Sequence, residues 1–385
     1  MKKIKVNKIA IVTNNSWYAY NFRLNLAKSL KNNGYEVIFI APYDEKYSKL
    51  IKKEFKFYNI NIDAKGINPI SDFKTMVSLY KLYKNVKPDI VLNFTIKPNI
   101  YSSMVAGILK VKSISNITGL GTIFIKQSMV TKIAKILYKT ALNFNDKVFF
   151  QNNDDRSLFI DNKLVHKSKT DLLPGSGVDL NKFIPIKKDD DRVVKFLLIA
   201  RLLKDKGILE FIEAIKIIKN QYKNIQFQIL GALGVENKTA IIKDELQVWI
   251  YNGLVEYLGT TDNVQNIISK VDCVVLPSYR EGTPRSLLEA CAMEKPIIAT
   301  NVVGCKEVVD DGINGYLCEV RDSQDLANKM EMMINLSNDE RKIMGQAGRN
   351  KIVKEFDEKI VISKYLENIK EILYPKGTSC GANNE

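Results

Sequence analysis

Residues 8–40 read KIAIVTNNSWYAYNFRLNLAKSLKNNGYEVIFI, and this stretch decides the fold. An apolar run over residues 8–13 is followed by a helical pattern from about 20 to 33, in which apolar residues recur every four positions. Gly34 suits the end of that helix, and a second apolar run follows over 36–40. A strand, a helix and a strand in this order predict a parallel β-sheet.

The same alternation continues along the chain, with one interruption. Residues 185–192 are polar and lack periodicity, which predicts an interdomain linker, and the pattern restarts with the apolar run 194–200. We therefore predict an α/β protein with two doubly wound, Rossmann-like parallel sheets facing a cleft. The predicted parts are an N-terminal domain over 1–184, the linker 185–192, a C-terminal domain over 193–355, a C-terminal helix over 356–374 that packs back on the first domain, and a disordered tail over 375–385.

Composition excludes several classes of protein. Hydrophobic residues make up 45% of the 385 residues and charged residues 26%, as in a globular protein, and no apolar run reaches the length of a transmembrane helix. Five cysteines without a CxxC pair, and a single histidine, argue against a zinc site. The thiols are expected to be reduced and mostly buried, and His166 is expected at the surface. No GxGxxG follows the first strand, which disfavours a nicotinamide-dependent oxidoreductase.

Positive charge is concentrated in the first half of the chain. Residues 1–192 carry 33 basic and 16 acidic side chains, whereas residues 193–385 carry 25 and 27. Residues 90–145 contain seven lysines and neither Asp nor Glu. Such an imbalance favours a polyanionic partner: an anionic lipid surface, a nucleic acid or a diphosphate substrate. A nucleic-acid reader is disfavoured because no known reader motif or run of aromatic platforms lies in the basic half.

Two segments of the second half carry candidate site residues. Arg201 and Lys206 follow the strand 194–200 at its carboxyl end, where a guanidinium and an ammonium group suit a diphosphate, although a solvated basic loop explains them equally well. Glu281 precedes a predicted helix with Thr283 as N-cap and Pro284 as its first residue.

Glu289 lies further along the same helix in an apolar patch. A carboxylate in that position needs either a ligand hydroxyl or a core arginine as its partner. Glu281 could equally be an ordinary surface residue of the loop.

Arg201, Lys206, Glu281 and Glu289 together resemble the motifs of the retaining family 4 glycosyltransferases of GT-B fold. The resemblance implies a UDP-sugar as donor substrate and neither a metal ion nor a cofactor. Arg201 and Lys206 would hold the donor diphosphate, Glu289 the ribose hydroxyls and Glu281 the hydroxyls of the donor sugar. It implies further donor contacts from Gly282, Thr283, Pro284 and Gly304.

Residues 93–101 and 118–121 resemble a narrower group within this family. These are bacterial transferases that extend undecaprenyl-diphosphate-linked sugars, and nearest among them are the N-acetylgalactosaminyltransferases of N-glycosylation that act on lipid-linked diacetylbacillosamine. The resemblance places the acceptor in the first domain, beside Thr118, Gly119 and Gly121. Relatives often have histidine where this chain has Thr118. Arg23 and Lys97 are candidates for the acceptor diphosphate, with ordinary surface cations as the alternative.

Residues 128–144 form a predicted amphipathic helix, with Lys132, Lys135 and Lys139 on one side and apolar residues largely on another. This pattern suits a helix lying on an anionic membrane surface, although a helix that packs its apolar side on the sheet would look similar. The membrane interpretation predicts a cytoplasmic protein bound peripherally to the inner face of the bacterial inner membrane. A transferase with a lipopolysaccharide, capsule or soluble acceptor is the alternative.

Overall fold

The computed structural model divides the chain into two compact units, of which unit 1 runs to Leu173 and resumes at Val361, and unit 2 is residues 174–360. Each unit is a parallel β-sheet with helices on both faces, which confirms the predicted α/β architecture. The structure describes residues 6–63, 68–120, 129–188, 192–235 and 237–375.

The described part of unit 1 has a seven-stranded sheet in the order β3-β2-β1-β4-β5-β6-β7. Its strands are β1 Lys8–Val12, β2 Glu36–Ala41, β3 Lys56–Asn59, β4 Ile90–Phe94, β5 Lys112–Ile117, β6 Lys147–Phe150 and β7 Thr170–Leu172. Its helices include α1 Ser16–Asn32, α2 Tyr47–Lys52, α3 Pro69–Val86, α4 Ser103–Ile108, α5 Met129–Phe144 and α6 Asn153–Asp161, and a π-helical turn, Pro98–Ser102, precedes α4.

Alternate residues of β1 explain why this sheet is covered on both faces. Ile9 and Ile11 point into a core formed with α1 and α2, whereas Ala10 and Val12 point into a core formed with α3, α4, α5 and α6. Residues on both faces of β1 are buried, which is why the strand reads as a continuous apolar run and not as an alternation.

Unit 2 repeats this design with a six-stranded parallel sheet in the order β10-β9-β8-β11-β12-β13, counted over its described residues. Its strands are β8 Val194–Ile199, β9 Ile225–Leu230, β10 Glu256–Tyr257, β11 Cys273–Leu276, β12 Ile297–Thr300 and β13 Gly315–Cys318. Its helices include α7 Ile208–Lys219, α8 Lys243–Tyr251, α9 Val264–Ile268, α10 Arg285–Ala292, α11 Ser323–Asn335 and α12 Asn338–Glu355. Cys273, Cys291, Cys305 and Cys318 are buried and free, as predicted.

The boundary between the units lies earlier than the predicted linker. Residues 174–184, which we predicted to belong to the first domain, are part of unit 2. Val178 donates its backbone N–H to Phe356 and accepts one from Glu358, and the Val178 and Phe183 side chains lie in the unit 2 core. The polar segment 185–192 therefore does not mark the boundary between the two units, because residues 174–184 already pack in the core of unit 2.

The last helix, α13 (Glu358–Leu373), is counted with unit 1 from Val361 onward. Its side chains Val361, Tyr365 and Ile369 lie in the core that also contains α1 and α2. The Tyr365 ring packs against Phe94 and Phe149, and its hydroxyl accepts a hydrogen bond from Asn116 at 3.0 Å. The end of the chain thus completes the core of the first unit. The predicted disordered tail falls almost wholly outside the described residues.

No helix among the described residues combines the length and the apolar character that crossing a bilayer requires.

Truncating the Tyr365 side chain is expected to destabilise unit 1. Tyr365→Ala would empty a fully buried aromatic site and leave the Asn116 amide without its partner. The expected loss in the free energy of unfolding is about 3–5 kcal/mol, the usual cost of removing a buried aromatic ring. Urea unfolding followed by circular dichroism measures it. Tyr251→Ala, at a tyrosine that is 91% exposed, is the control, and an equal loss in both variants would contradict this role of α13.

Candidate active site

The loop after β8 carries two of the predicted donor residues. Arg201 is exposed, and no acidic side chain of the described chain pairs with it. Residues Lys204–Lys206 form a 3₁₀ turn that ends at Gly207, which precedes α7. Gly207 has φ +72°, and a Cβ atom there would lie 1.9 Å from the carbonyl oxygen of Pro277. The backbones of the loops after β8 and β11 therefore touch at a point where only glycine fits.

The loop after β11 is held between its two neighbours. The backbone N–H of Tyr279 donates to the carbonyl oxygen of Asp205 at 3.0 Å, and that of Glu281 donates to Val303 at 3.0 Å. Gly304 has φ +90°, and a Cβ atom there would lie 2.5 Å from the carbonyl oxygens of Glu281 and Gly282. Three consecutive loops at the carboxyl edge of the unit 2 sheet thus form one rigid assembly.

This assembly brings Lys206 and Glu281 together. The ammonium group of Lys206 donates to Oε1 of Glu281 in an ion pair whose side chains are 18% and 15% exposed. Partial burial strengthens such a pair relative to one in open solvent. Glu281 is therefore not the ordinary surface residue that one interpretation of the sequence allowed. The two residues stand 75 positions apart in sequence, and the fold alone makes them partners.

Helix α10 begins one residue later than predicted. Pro284 is its N-cap, with extended backbone angles, and α10 starts at Arg285 without a side-chain cap. Thr283, predicted as the N-cap, packs instead against Gly175, where a Cβ atom would lie 2.8 Å from the Thr283 Cβ atom. Thr283 therefore lies one residue before the observed N-cap, in contact with Gly175. The predicted Gly282, Thr283 and Pro284 do lie next to Glu281 in the loop that leads into α10.

Glu289 has a protein partner in this structure. Nε of Arg285 donates to its Oε1 at 2.8 Å, one helical turn away, and both side chains are largely buried. Burial raises the pKa of the Glu289 carboxyl group above its ordinary value, and the charge and hydrogen bond of Arg285 oppose that rise. Of the two partners that the sequence allowed, an arginine is present, and contact with ribose hydroxyls stays a prediction.

The sequence did not lead us to predict three further residues of this region, Glu210, Tyr279 and Arg321. The Tyr279 hydroxyl donates to Oε1 of Glu210 at 2.6 Å, and the Arg321 guanidinium lies over the Tyr279 ring at 4.5 Å. Burial and the neighbouring Glu210 carboxylate raise the pKa of Tyr279 to about 12, so the hydroxyl stays protonated and fixes the loop. Glu210 could have been noticed, because it lies in the first turn of α7, four residues after Lys206. Nothing in the sequence points to Arg321.

The predicted acceptor residues lie in unit 1, and the structure revises two of them. Arg23 is buried, with its guanidinium 4.1 Å from the centroid of the Phe94 ring and its Nη2 2.5 Å from the Tyr18 hydroxyl. Lys97 is paired with Asp72 at 2.5 Å, and Asp72 also accepts a hydrogen bond from Tyr101. Neither is an ordinary surface cation, and the binding of an acceptor diphosphate by these two residues stays a prediction.

The predicted acceptor loop follows β5. Thr118 and Gly119 are half-buried there, and Gly119 has φ +125°, which favours glycine. Gly121 lies outside the described residues. Asn116, at the end of β5, is held by the Tyr365 hydroxyl, so α13 anchors the base of this loop.

Helix α5 has the predicted basic residues, but its apolar side chains do not all face the sheet. Lys132 and Lys139 are exposed, and Lys135 donates to the Oδ1 atom of Asn162 at 2.8 Å. Ile133 and Ile136 are exposed as well, while the sheet-facing side is formed by other residues such as Tyr138. Packing on the sheet therefore does not account for the apolar side of this helix.

Removing Arg285 is expected to destabilise unit 2 in a pH-dependent way. Arg285→Ala leaves a buried carboxylate without its counter-charge, which costs about 3–5 kcal/mol near pH 7. Because the pKa of Glu289 is raised in the folded state, that state holds the proton more tightly, and stability falls as pH rises above the ordinary value of 4.5. The loss should therefore shrink toward pH ~5.

Urea unfolding at both pH values measures this loss, with Lys216→Ala as the control. Lys216 forms an exposed ion pair with Glu213 at 2.7 Å, and breaking it should cost less than about 1 kcal/mol. A loss for Arg285→Ala that is as small as the control at both pH values would contradict the proposed pairing.

Two family models match the chain, one in each half. The model described as "Glycosyl transferase 4-like" matches residues 8–152, and the model described as "Glycosyl transferases group 1" matches residues 180–351. The second match contains Arg201, Lys206, Glu281 and Glu289. The first contains Arg23, Lys97 and Thr118.

Two bacterial enzymes are similar over most of their length. The N,N'-diacetylbacillosaminyl-diphospho-undecaprenol alpha-1,3-N-acetylgalactosaminyltransferase of Campylobacter jejuni is 27% identical, over 90% of this chain and 94% of that protein. The UDP-Gal:alpha-D-GlcNAc-diphosphoundecaprenol alpha-1,3-galactosyltransferase of Escherichia coli is 28% identical, over 89% of this chain and 90% of that protein.

Solved structures share the fold. Anabaena HepE in complex with UDP and glucose has a TM-score of 0.79 at 17% identity, covering 95% of this chain and all of that one. A glycosyltransferase of Rickettsia africae has a TM-score of 0.77 at 21% identity, covering 97% of this chain and all of that one. Since the two family models match residues 8–152 and 180–351 and the fold agrees with both, the protein belongs to the glycosyltransferases of group 1 and 4-like type, with the GT-B fold.

Proposed function

We propose that this glycosyltransferase moves a sugar from a UDP-sugar to a sugar carried on undecaprenyl diphosphate, with retention of configuration and without a metal ion. The observation that carries the proposal is the assembly of three loops in unit 2, which places Lys206 against Glu281. Arg201 lies on the same loop as Lys206 and is exposed. The acceptor class is supported by the names of the two relatives, both of which act on diphospho-undecaprenol sugars.

Lys206 and Arg201 would bind the donor diphosphate. In the structure the Lys206 ammonium group is neutralised by Glu281. A diphosphate carries more negative charge than one carboxylate, so it would compete for Lys206 and release Glu281. The freed carboxylate could then accept hydrogen bonds from hydroxyls of the donor sugar, so one exchange of partners would satisfy both side chains.

The proposed reaction builds up negative charge on the departing UDP. An acceptor hydroxyl attacks the anomeric carbon of the donor sugar while the bond from that carbon to the β-phosphate oxygen breaks. The hydroxyl proton passes to the departing phosphate oxygen on the same face, so no separate protein base is required. Lys206 and Arg201 would stabilise the charge that builds up on the departing UDP, which is the part of the reaction that needs positive charge.

Retention is supported by the linkage in the names of both relatives. Each forms an alpha linkage. The common UDP-hexose donors also carry their sugar in the α configuration, so an α product retains it. Thr118, in place of the histidine that family members often have, is consistent with a transfer in which the departing phosphate takes the proton.

N-acetylgalactosamine is the first candidate for the donor sugar, and galactose is the second. The relatives from C. jejuni and E. coli use these two sugars respectively, according to their names. The two sugars differ at C2, where one has an acetamido group and the other a hydroxyl. A few contacts in the donor pocket could therefore decide between them.

A lipid-borne acceptor requires the enzyme to work at a membrane surface. We place it peripherally on the inner face of the bacterial inner membrane. The support is α5, whose exposed lysines and exposed isoleucines lie side by side. Transfer to another acceptor is the competing function, because a capsular polysaccharide glycosyltransferase of Staphylococcus aureus is 26% identical over 80% of this chain.

The decisive experiment is UDP release from a panel of UDP-sugars, each with and without an undecaprenyl-diphosphate-linked sugar in detergent. We expect release that depends on the acceptor from one donor, with N-acetylgalactosamine first. Adding EDTA should leave the rate unchanged. UDP binding without any acceptor-dependent release would favour the competing acceptor classes, and a lack of UDP binding would refute the donor site.

Lys206→Ala is expected to weaken UDP binding by about 1.5–3 kcal/mol, the range for a hydrogen bond to a charged group. Glu281→Ala should abolish transfer and yet bind UDP at least as tightly as the wild type, because the competing carboxylate is gone. Isothermal titration calorimetry measures both affinities. Lys204→Ala is the matched control on the same loop, since Lys204 is more exposed and faces Glu245 at 3.7 Å. Wild-type UDP affinity in Lys206→Ala would refute the diphosphate role.

A further inference from the structure

Helix α3 carries a row of apolar side chains on its solvent-facing side. Ile70 and Phe73 are each 67% exposed and Val77 is 36% exposed. Their spacing of three and four residues places them on one face of the helix, one per turn. The opposite face, including Leu79 and Tyr83, is buried against the sheet. Single exposed apolar residues are ordinary, but a contiguous row of them indicates an interaction site.

The exposed charged residues of α3 beside this row are positive, while Asp63 of the preceding segment lines the same groove. Lys74 and Lys81 are exposed on the same side of α3, and from Lys74 to Lys87 the sequence contains four lysines and no acid. Asp72 is the acidic residue of α3, and it is buried against Lys97 and Tyr101. The exposed face of α3 therefore combines apolar and basic groups without acidic ones.

Helix α5 presents the same combination. Four of its exposed apolar residues, Met129, Val130, Ile133 and Ile136, lie in its first half, and a fifth, Phe144, is its last residue. Lys132 and Lys139 are exposed among and beyond the first four. Met129 and Ile136 are 71% and 65% exposed. No acidic residue occurs in α5.

The topology of unit 1 puts the two faces at the same edge. Helix α3 follows β3 and helix α5 follows β5, so the N-terminal halves of both helices begin at the carboxyl edge of the parallel sheet. Both helices pack on the same face of that sheet, on either side of α4 and its π-helical turn. The exposed apolar residues of α3, and those of α5 other than Phe144, occupy these N-terminal halves, so they face solvent from one side of unit 1.

We propose that these seven apolar residues form one membrane-contacting surface, the two-helix surface. It consists of Ile70, Phe73 and Val77 of α3 and Met129, Val130, Ile133 and Ile136 of α5. The partner is a bilayer that contains anionic lipid. This inference rests on the proposed lipid-borne acceptor, and it goes beyond that proposal by assigning α3 to the contact.

The lysines decide between a membrane and a protein as the partner. Lysine is depleted from the cores of protein interfaces, because burying its ammonium group is costly. At a lipid surface the same side chain lays its methylene groups along the apolar region and extends its charge to the phosphate groups. Lysines that alternate with isoleucine and phenylalanine on two helices of the same sheet face therefore fit anionic lipid headgroups.

Vesicle sedimentation with the full-length chain tests the proposal. The vesicles contain phosphatidylcholine alone or mixed with phosphatidylglycerol. We expect binding to the mixed vesicles that weakens with salt, and a roughly tenfold loss of binding in Ile70→Ser/Phe73→Ser, since the apolar contact contributes directly to the affinity. Ile133→Ser/Ile136→Ser should lose binding similarly. The control is Ile343→Ser/Val353→Ser on α12 of unit 2, at residues that are 66% and 48% exposed, and it should bind like the wild type.

Two results would overturn the proposal. If the α3 variant binds like the wild type while the α5 variant does not, α5 is the membrane element and α3 is not. If both variants bind like the wild type, these residues form no membrane surface, and a protein partner becomes the better explanation. Circular dichroism checks that the exposed substitutions leave the fold intact.

Transfer to a detergent-dispersed acceptor separates this inference from the proposed function. The α3 variant should keep the wild-type rate there, because no bilayer is needed to reach the substrate. If the α3 variant transfers normally and also binds vesicles like the wild type, the membrane role of α3 is refuted and the proposed function is not. Absence of transfer in the wild type, with vesicle binding that depends on α3, would refute the proposed acceptor and leave the membrane surface standing.

Discussion

The backbone contact between the loops that follow β8 and β11 is the constraint on which the donor site depends. A parallel sheet brings the carboxyl ends of its strands to one edge, but the edge alone does not align two side chains. Alignment comes from Gly207 and Gly304. Because glycine has no Cβ atom, three loops can touch through their backbones at these positions. Lys206 and Glu281 meet because these backbone contacts and hydrogen bonds hold the loops side by side.

The two units use their charges differently. In unit 2 two charged pairs near the sheet edge are partly buried, Lys206 with Glu281 and Arg285 with Glu289, and Arg201 is exposed beside them. In unit 1 the Asp72 carboxylate forms a buried ion pair with Lys97, and the excess lysines lie at the surface. The first arrangement suits a compact anionic substrate, and the second suits an extended anionic surface.

Sequence patterns predicted central strands well and edge strands poorly. Central strands such as β1 and β4 are buried on both faces and appear as continuous apolar runs. Strands β3, β7 and β10, which have no continuous apolar run in the sequence, lie at sheet edges and are two to four residues long. Their residues are partly exposed, so neither their length nor their composition separates them from loops. The start of α10 was misplaced because Thr283 packs on Gly175, a contact that no local pattern reports.

The sequence by itself determined the two parallel sheets, the basic character of the first half and the four candidate donor residues, because periodicity, charge and motif spacing are local properties. Only the tertiary structure decided which groups are available. It buried Arg23 beneath Phe94, paired Lys97 with Asp72 and joined Lys206 to Glu281. The physical reason is that burial and ion pairing bring together residues that are far apart in the chain. Their distances in space are set by the packing of the fold and cannot be read from the sequence.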